Sequence, residues 1–186
     1  MHGPKGKKMD RTQAVRLAGL LLALAGAGSA HAAAQAVRVD RSWLQADSAG
    51  SQVQFALIAG LTPANGGMNF NGASNGTLTL TVPVGWHVTL HFRNADQAQP
   101  HSVAIIPAVT PVPVTVARPA FEHAATRNLM SGLGTGAHED MVFTVDRAGA
   151  FYIFCAVPGH GAAGMWIRLN VSADAHTATI AATPKP

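Results

Sequence analysis

The strongest constraint on how this chain folds is a period of two. Residues 76–82 read GTLTLTV and residues 86–93 read WHVTLHFR. In the second run Trp86, Val88, Leu90 and Phe92 fall on one face, and His87, Thr89, His91 and Arg93 on the other, because successive side chains of a strand point to opposite sides. The same reading makes strands of residues 52–59, 101–106, 141–145, 150–155 and 165–171. Turn chemistry lies between them, in Asn65-Gly66-Gly67, Asn75-Gly76, Pro83, Asn94-Ala95-Asp96 and Arg147-Ala148-Gly149. About seven to eight short strands at this spacing, with no amphipathic helix beyond residue 40, predict an all-β chain, an antiparallel Greek-key β-sandwich. Residues 108–140 interrupt the pattern. They are long, rich in Pro, Gly, Ala and Thr, and read as a functional loop or a surface excursion, with short helical turns expected around residues 124–130.

The first 32 residues stand apart from that pattern. Lys5, Lys7, Lys8, Arg11 and Arg16 precede an apolar run at residues 17–28 (LAGLLLALAGAG), and Ala30-His31-Ala32 follows. This is the layout of a secretory signal peptide cleaved after Ala32, with Met9 as an alternative start. An uncleaved membrane anchor is the competing reading, but the run falls short of the roughly 20 apolar residues that span a bilayer. The expected organisation is therefore a signal at 1–32 and one domain at 33–186, in the periplasm or an equivalent extracytoplasmic space.

Export changes the meaning of the charge. The whole chain is +4 at neutral pH, with 13 Lys and Arg against 9 Asp and Glu. Five of those cations and one acid (Asp10) precede Ala33, which leaves eight of each sign. A neutral domain lacks the clustered cations that bind a phosphate backbone, so nucleic acid is excluded as a partner. The one cysteine, Cys155, is then the residue to explain, since exported proteins usually pair their thiols.

Its surroundings suggest the explanation. Residues 151–171 read FYIFCAVPGHGAAGMWIRLNV: Cys155, four residues, His160, four residues, Met165. Phe151, Ile153 and Cys155 share one strand face, so the thiol ends the strand pointing into the sandwich. The Pro- and Gly-rich loop that follows can fold His160 and Met165 around the same ion. Thiolate, imidazole and thioether together select copper, and two His, one Cys and a weak axial Met make a blue-copper site. His101, behind Pro100 at the start of a strand, is the candidate for the second imidazole. His87 and His91 resemble a chelating pair, yet four residues along a strand separate them by roughly 13 Å. They read as solvent-facing, and His123, His138 and His176 as surface residues in loop or tail sequence. Met68, Met130 and Met141 read as core or loop packing.

This segment resembles the ligand loop of the cupredoxins, specifically sulfocyanin and rusticyanin, which share the four-and-four spacing. Residues 67–72 (GMNFNG), Asn75-Gly76, Pro119-Ala120-Phe121 and Gly164-Met165 favour sulfocyanin, and the likeness runs over about residues 50–172. It implies one type 1 copper per chain. It also implies a cupredoxin sandwich and electron transfer in a respiratory chain; the expected partners are redox proteins such as a c-type cytochrome or a terminal oxidase, and the chain is expected to be a monomer. The chain departs from the pattern at Ser102, where many members have Asn after the first His ligand, and in its cleavable N-terminus, where some sulfocyanins are membrane-anchored. Two other classes compete with the electron carrier. A periplasmic copper carrier or chaperone would use exposed, exchangeable ligands. A Cys-His nucleophile enzyme would need an Asn or Asp orienting partner, and none is evident in sequence.

Overall fold

The computed structural model describes residues 1–3, 37–116 and 118–185. The expected signal, apart from Met1 to Gly3, lies outside the described residues. Nine strands form among them: β1 (Leu44–Asp47), β2 (Gln52–Ala59), β3 (Leu78–Pro83), β4 (His87–Asn94), β5 (Ala104–Pro107), β6 (His138–Thr144), β7 (Gly149–Phe154), β8 (Trp166–Ser172) and β9 (Thr179–Ala182). They make two sheets, ordered β1-β2-β4-β6 and β5-β7-β8-β3-β9.

The sandwich is mixed rather than wholly antiparallel. β3 lies in the other sheet from β2 and β4, so the chain crosses twice and β4 returns parallel to β2, with Gln52 opposite His87 and Ala59 opposite Asn94. β3 and β8 are parallel as well, with Thr79 opposite Arg168. The remaining pairs are antiparallel.

Alternation places the core. Val53, Phe55 and Leu57 of β2, Val88, Leu90 and Phe92 of β4, and Leu78, Leu80 and Val82 of β3 are buried in one cluster with Ile153, Cys155, Met165 and Ile167. Each large apolar side chain removed from water contributes about 1.5–3 kcal/mol.

Strands β5, β7 and β8 are buried on both faces at their site end. Ile105, Ile153 and Ile167 point into the main core, while their neighbours Ala104, Ile106, Phe154 and Trp166 form a second cluster on the outer face. Val112, Val116, Ala125 and Leu129 from the long segment cover that cluster. The segment is tied down along the edge of β5 by Thr126 N–H to Val103 O at 2.9 Å and Ile105 N–H to Ala124 O at 2.9 Å. No helix is assigned at 124–130, and the turns expected there are reduced to isolated ones, with Ala124 N–H to Phe121 O at 3.3 Å and Gly132 N–H to Asn128 O at 2.8 Å. The Ala124 carbonyl and the Thr126 N–H bond the sheet edge instead.

Candidate metal centre

The strand ends explain the placement of each donor. β7 stops at Phe154, so Cys155 is the first residue beyond it, and its N–H donates to Met165 O at 3.0 Å. Between them the chain makes tight turns: His160 N–H to Val157 O at 3.1 Å, Ala163 N–H to Gly159 O at 2.9 Å, and Met165 N–H to His160 O at 2.9 Å. Cys155, His160 and Met165 are thereby held by one closed set of backbone bonds. His101 comes from the other side. It precedes β5 instead of starting it, and pairs as an isolated bridge with Leu133.

The donor atoms converge. Cys155 Sγ lies 3.9 Å from His101 Nδ1 and 3.7 Å from His160 Nδ1, and the two nitrogens are 3.2 Å apart. The point equidistant from all three, the circumcentre of that triangle, is about 2.1 Å from each atom, within the roughly 2.0–2.3 Å at which imidazole nitrogen and thiolate sulfur hold a small divalent ion. Met165 is fully buried and joined to Cys155 and His160 through the backbone. The donor set therefore fits copper in size and in softness.

The surroundings prepare these groups. Burial lowers the pKa of His101, although Asp96 beside it pulls the other way. Burial, then the neighbouring His101, lowers that of His160. Both imidazoles are thus kept neutral, with a lone pair available. Burial raises the Cys155 thiol, against hydrogen bonds from Ser102 and Val157. Ser102 does more than its departure from the family pattern suggests. Its N–H approaches Cys155 Sγ at 3.5 Å, and its hydroxyl donates to Leu129 O at 2.8 Å and accepts from Ala156 N–H at 3.1 Å. A single short side chain ties the thiolate's neighbour to the covering segment.

The other histidines lie away from this centre. His87 meets Thr144 at 3.0 Å and His91 meets Asp140 at 3.0 Å, the first exposed and the second half-buried on the outward face of β4. His123 and His176 are exposed, and His138 is exposed too, although it opens β6 instead of lying in a loop. Met141 is core, whereas Met130 is 55% exposed. One polar residue of the site escaped the sequence reading. Asp96, read there only as part of a turn, is buried and its Oδ2 lies 3.0 Å from His101 Nε2. Its signal in sequence was a carboxylate five residues before the first His ligand, closed off by a turn.

A mixed two-sheet sandwich with a Cys-His-His cluster at one end defines a cupredoxin with a type 1 copper centre. The Sulfocyanin (SoxE) domain matches residues 40–181, and the chain belongs to that family. It is 32% identical over 111 residues to a sulfocyanin of Sulfolobus acidocaldarius, a match covering 56% of this chain and 55% of that protein. The chain thus spans about half the length of the curated relative it matches. Among solved structures, two rusticyanin variants share the fold. One has a TM-score of 0.51 at 21% identity, covering 70% of this chain and 89% of the other. The second has a TM-score of 0.50 at 22% identity, covering 66% and 79%.

Proposed function

We propose that this protein is an exported, monomeric blue copper electron carrier. Its copper is held by His101, Cys155, His160 and Met165, and it shuttles single electrons between respiratory partners such as a c-type cytochrome and a terminal oxidase. The observation that carries the reading is the convergence of three soft or borderline donors on one point about 2.1 Å from each, a metal-binding distance, beside a buried methionine. Copper, when bound, supplies a one-electron couple.

The chain supplies the rest. Cys155, His101 and Met165 are fully buried and locked by backbone bonds, so the same ligand positions serve both oxidation states and little has to reorganise on transfer. His160 is the half-buried member of the set and gives the electron its way out. Around it Pro158, Ala162 and Ala163 are exposed. Val114, 57% exposed, joins this rim through Gly159 N–H to Val114 O at 3.1 Å. An apolar rim without Asp, Glu, Lys or Arg favours brief docking, because it needs no charge pairs to be broken on release. Burial of the thiol and thioether supports retention of the ion and weighs against a copper chaperone, the alternative role.

The test is a copper(II) titration followed in the visible region. An intense thiolate-to-copper band should saturate at one copper per chain, and Cys155→Ser should remove it. A strong band surviving in that variant would overturn the site. Export is checked separately: intact mass of protein from an extracytoplasmic fraction should correspond to a chain starting near Ala33, and retention of residues 9–32 on membranes would favour an anchor.

A further inference from the structure

Asp96 is built into the site with more care than a turn residue requires. Its Oδ1 accepts from Ala98 N–H at 2.8 Å and Gln99 N–H at 3.2 Å, which leaves Oδ2 for His101 Nε2 at 3.0 Å. Its own N–H is held by Asn94 Oδ1 at 2.9 Å and its carbonyl by Thr135 Oγ1 at 2.7 Å. Asn94 in turn donates to Gln99 O at 2.9 Å and Leu133 O at 2.8 Å. The approaching loop is cut away to make room. A Cβ on Gly60 would lie 2.5 Å from Asp96 Cβ and one on Gly67 would collide with Asp96 Oδ2, and both glycines have positive φ, 63° and 85°. The carboxylate is 8% exposed and the imidazole fully buried.

We infer that Asp96 is a positioning residue for the copper site: it fixes His101 as an Nδ1 donor and sets a second negative charge beside the metal, favouring copper(II). This rests on the copper reading above. The first half follows from hydrogen bonding, since an ionised carboxylate only accepts and so requires the proton on Nε2, leaving the Nδ1 lone pair toward Cys155 and His160. Such outer carboxylates orient ligating imidazoles and raise their basicity. The second half follows from charge. With Cys155 as thiolate and Asp96 ionised, copper(II) makes the enclosed group neutral, and one added electron leaves it singly negative. With a neutral residue at 96, the same electron would take the group from singly positive to neutral. A net charge is costly in a dry interior, so Asp96 reverses which oxidation state is the comfortable one. It opposes the pull toward copper(I) exerted by a thioether ligand and apolar walls.

The experiment compares copper-loaded wild type with Asp96→Asn by voltammetry, with the visible band recorded on the same samples. The variant should keep its blue band, and its preference for copper(I) over copper(II) should rise about tenfold or more, which at about 59 mV per tenfold for a one-electron couple is an upward shift of that size. An intact band with an unmoved potential would overturn the inference while leaving the copper site standing. A wild type without a blue band would overturn both. A second measurement uses wild type alone, in the diamagnetic copper(I) form. The His101 Nε2 proton should appear in the NMR spectrum as a downfield resonance that exchanges slowly with solvent. Its rapid exchange would show that no ionised partner holds it, and the inference would fail whatever the variant does.

Discussion

His101 and His160 differ from the other histidines in what they face, and that difference can be tested one side chain at a time. His101→Ala and His160→Ala should each weaken copper binding by tenfold or more, the scale on which even an outer-partner mutation acts, and should disrupt the visible band. His87→Ala and His91→Ala should leave both nearly unchanged, because these residues bond Thr144 and Asp140 on the exposed face of β4. Loss of the band in His87→Ala with His101→Ala intact would overturn the placement of the first ligand. Met165 allows a second test. Gln at that position offers a harder oxygen donor that favours copper(II), whereas Leu removes the axial donor altogether. Met165→Gln should bind copper with a lower potential and Met165→Leu with a higher one, and equal potentials in voltammetry would make Met165 only a core residue. At this scale the sequence was most legible where spacing itself encodes chemistry. Cys155, His160 and Met165 announce each other within one loop. Asp96 was not legible, because an Asp after Asn and Ala is ordinary turn chemistry until His101 is seen to turn toward it.

The loop between β7 and β8 behaves as one element, and its weak point is its last turn. Gly164 has a φ of 99°, and a Cβ there would lie 2.6 Å from the Asn75 side-chain amide. Asn75 N–H donates to Gly164 O at 2.7 Å, and Asn65 Nδ2 donates to Ala163 O at 3.1 Å, so two distant turns clamp the residues just before Met165. Gly164→Ala should cost about 1–3 kcal/mol, the usual scale of a strained left-handed residue, and should also shift the visible spectrum by displacing Met165. Chemical denaturation of the loaded and metal-free forms, with spectra on the former, checks both. A variant as stable as wild type with an identical spectrum would show that the clamp is loose. The same Asn-Gly pairs were readable as turns, but their use as clamps on a remote loop depends on which strands pair. β2, β3 and β4 could be read from alternation because each has one buried face. β1 and β9 could not, since edge strands with almost no buried residues leave no such pattern. β5 misled by a few residues, because burial on both faces removes the period that marks a strand's start.

At the scale of the whole molecule the site links two segments far apart in sequence, so copper binding and folding share one free energy. An ion that binds only the folded chain adds about 4.1 kcal/mol when its free concentration is a thousand times Kd. The size of that gain depends on pH through Cys155. Its thiol is pushed above the ordinary range by burial and holds its proton at neutral pH, so each copper(II) taken up must release one proton. Below the thiol pKa every unit of acidification therefore weakens apparent binding about tenfold, narrowing the gap between loaded and metal-free protein by about 1.4 kcal/mol per pH unit. The metal-free protein has a pH dependence of its own. His101 and His160 have lowered pKa values when folded, so the unfolded chain takes up protons first and stability falls as pH drops below about 6.5. Asp96, also lowered because the hydrogen bonds from His101, Ala98 and Gln99 outweigh its burial, acts in the same direction at lower pH. Thermal denaturation of both forms between pH 7 and pH 5 should show both melting earlier on acidification, with the loaded form losing more. In Cys155→Ser, which has no thiol proton to release, the extra loss should disappear. A stability gap in wild type that is flat with pH would mean that copper displaces no proton from Cys155, and the proton linkage argued from its burial would fail.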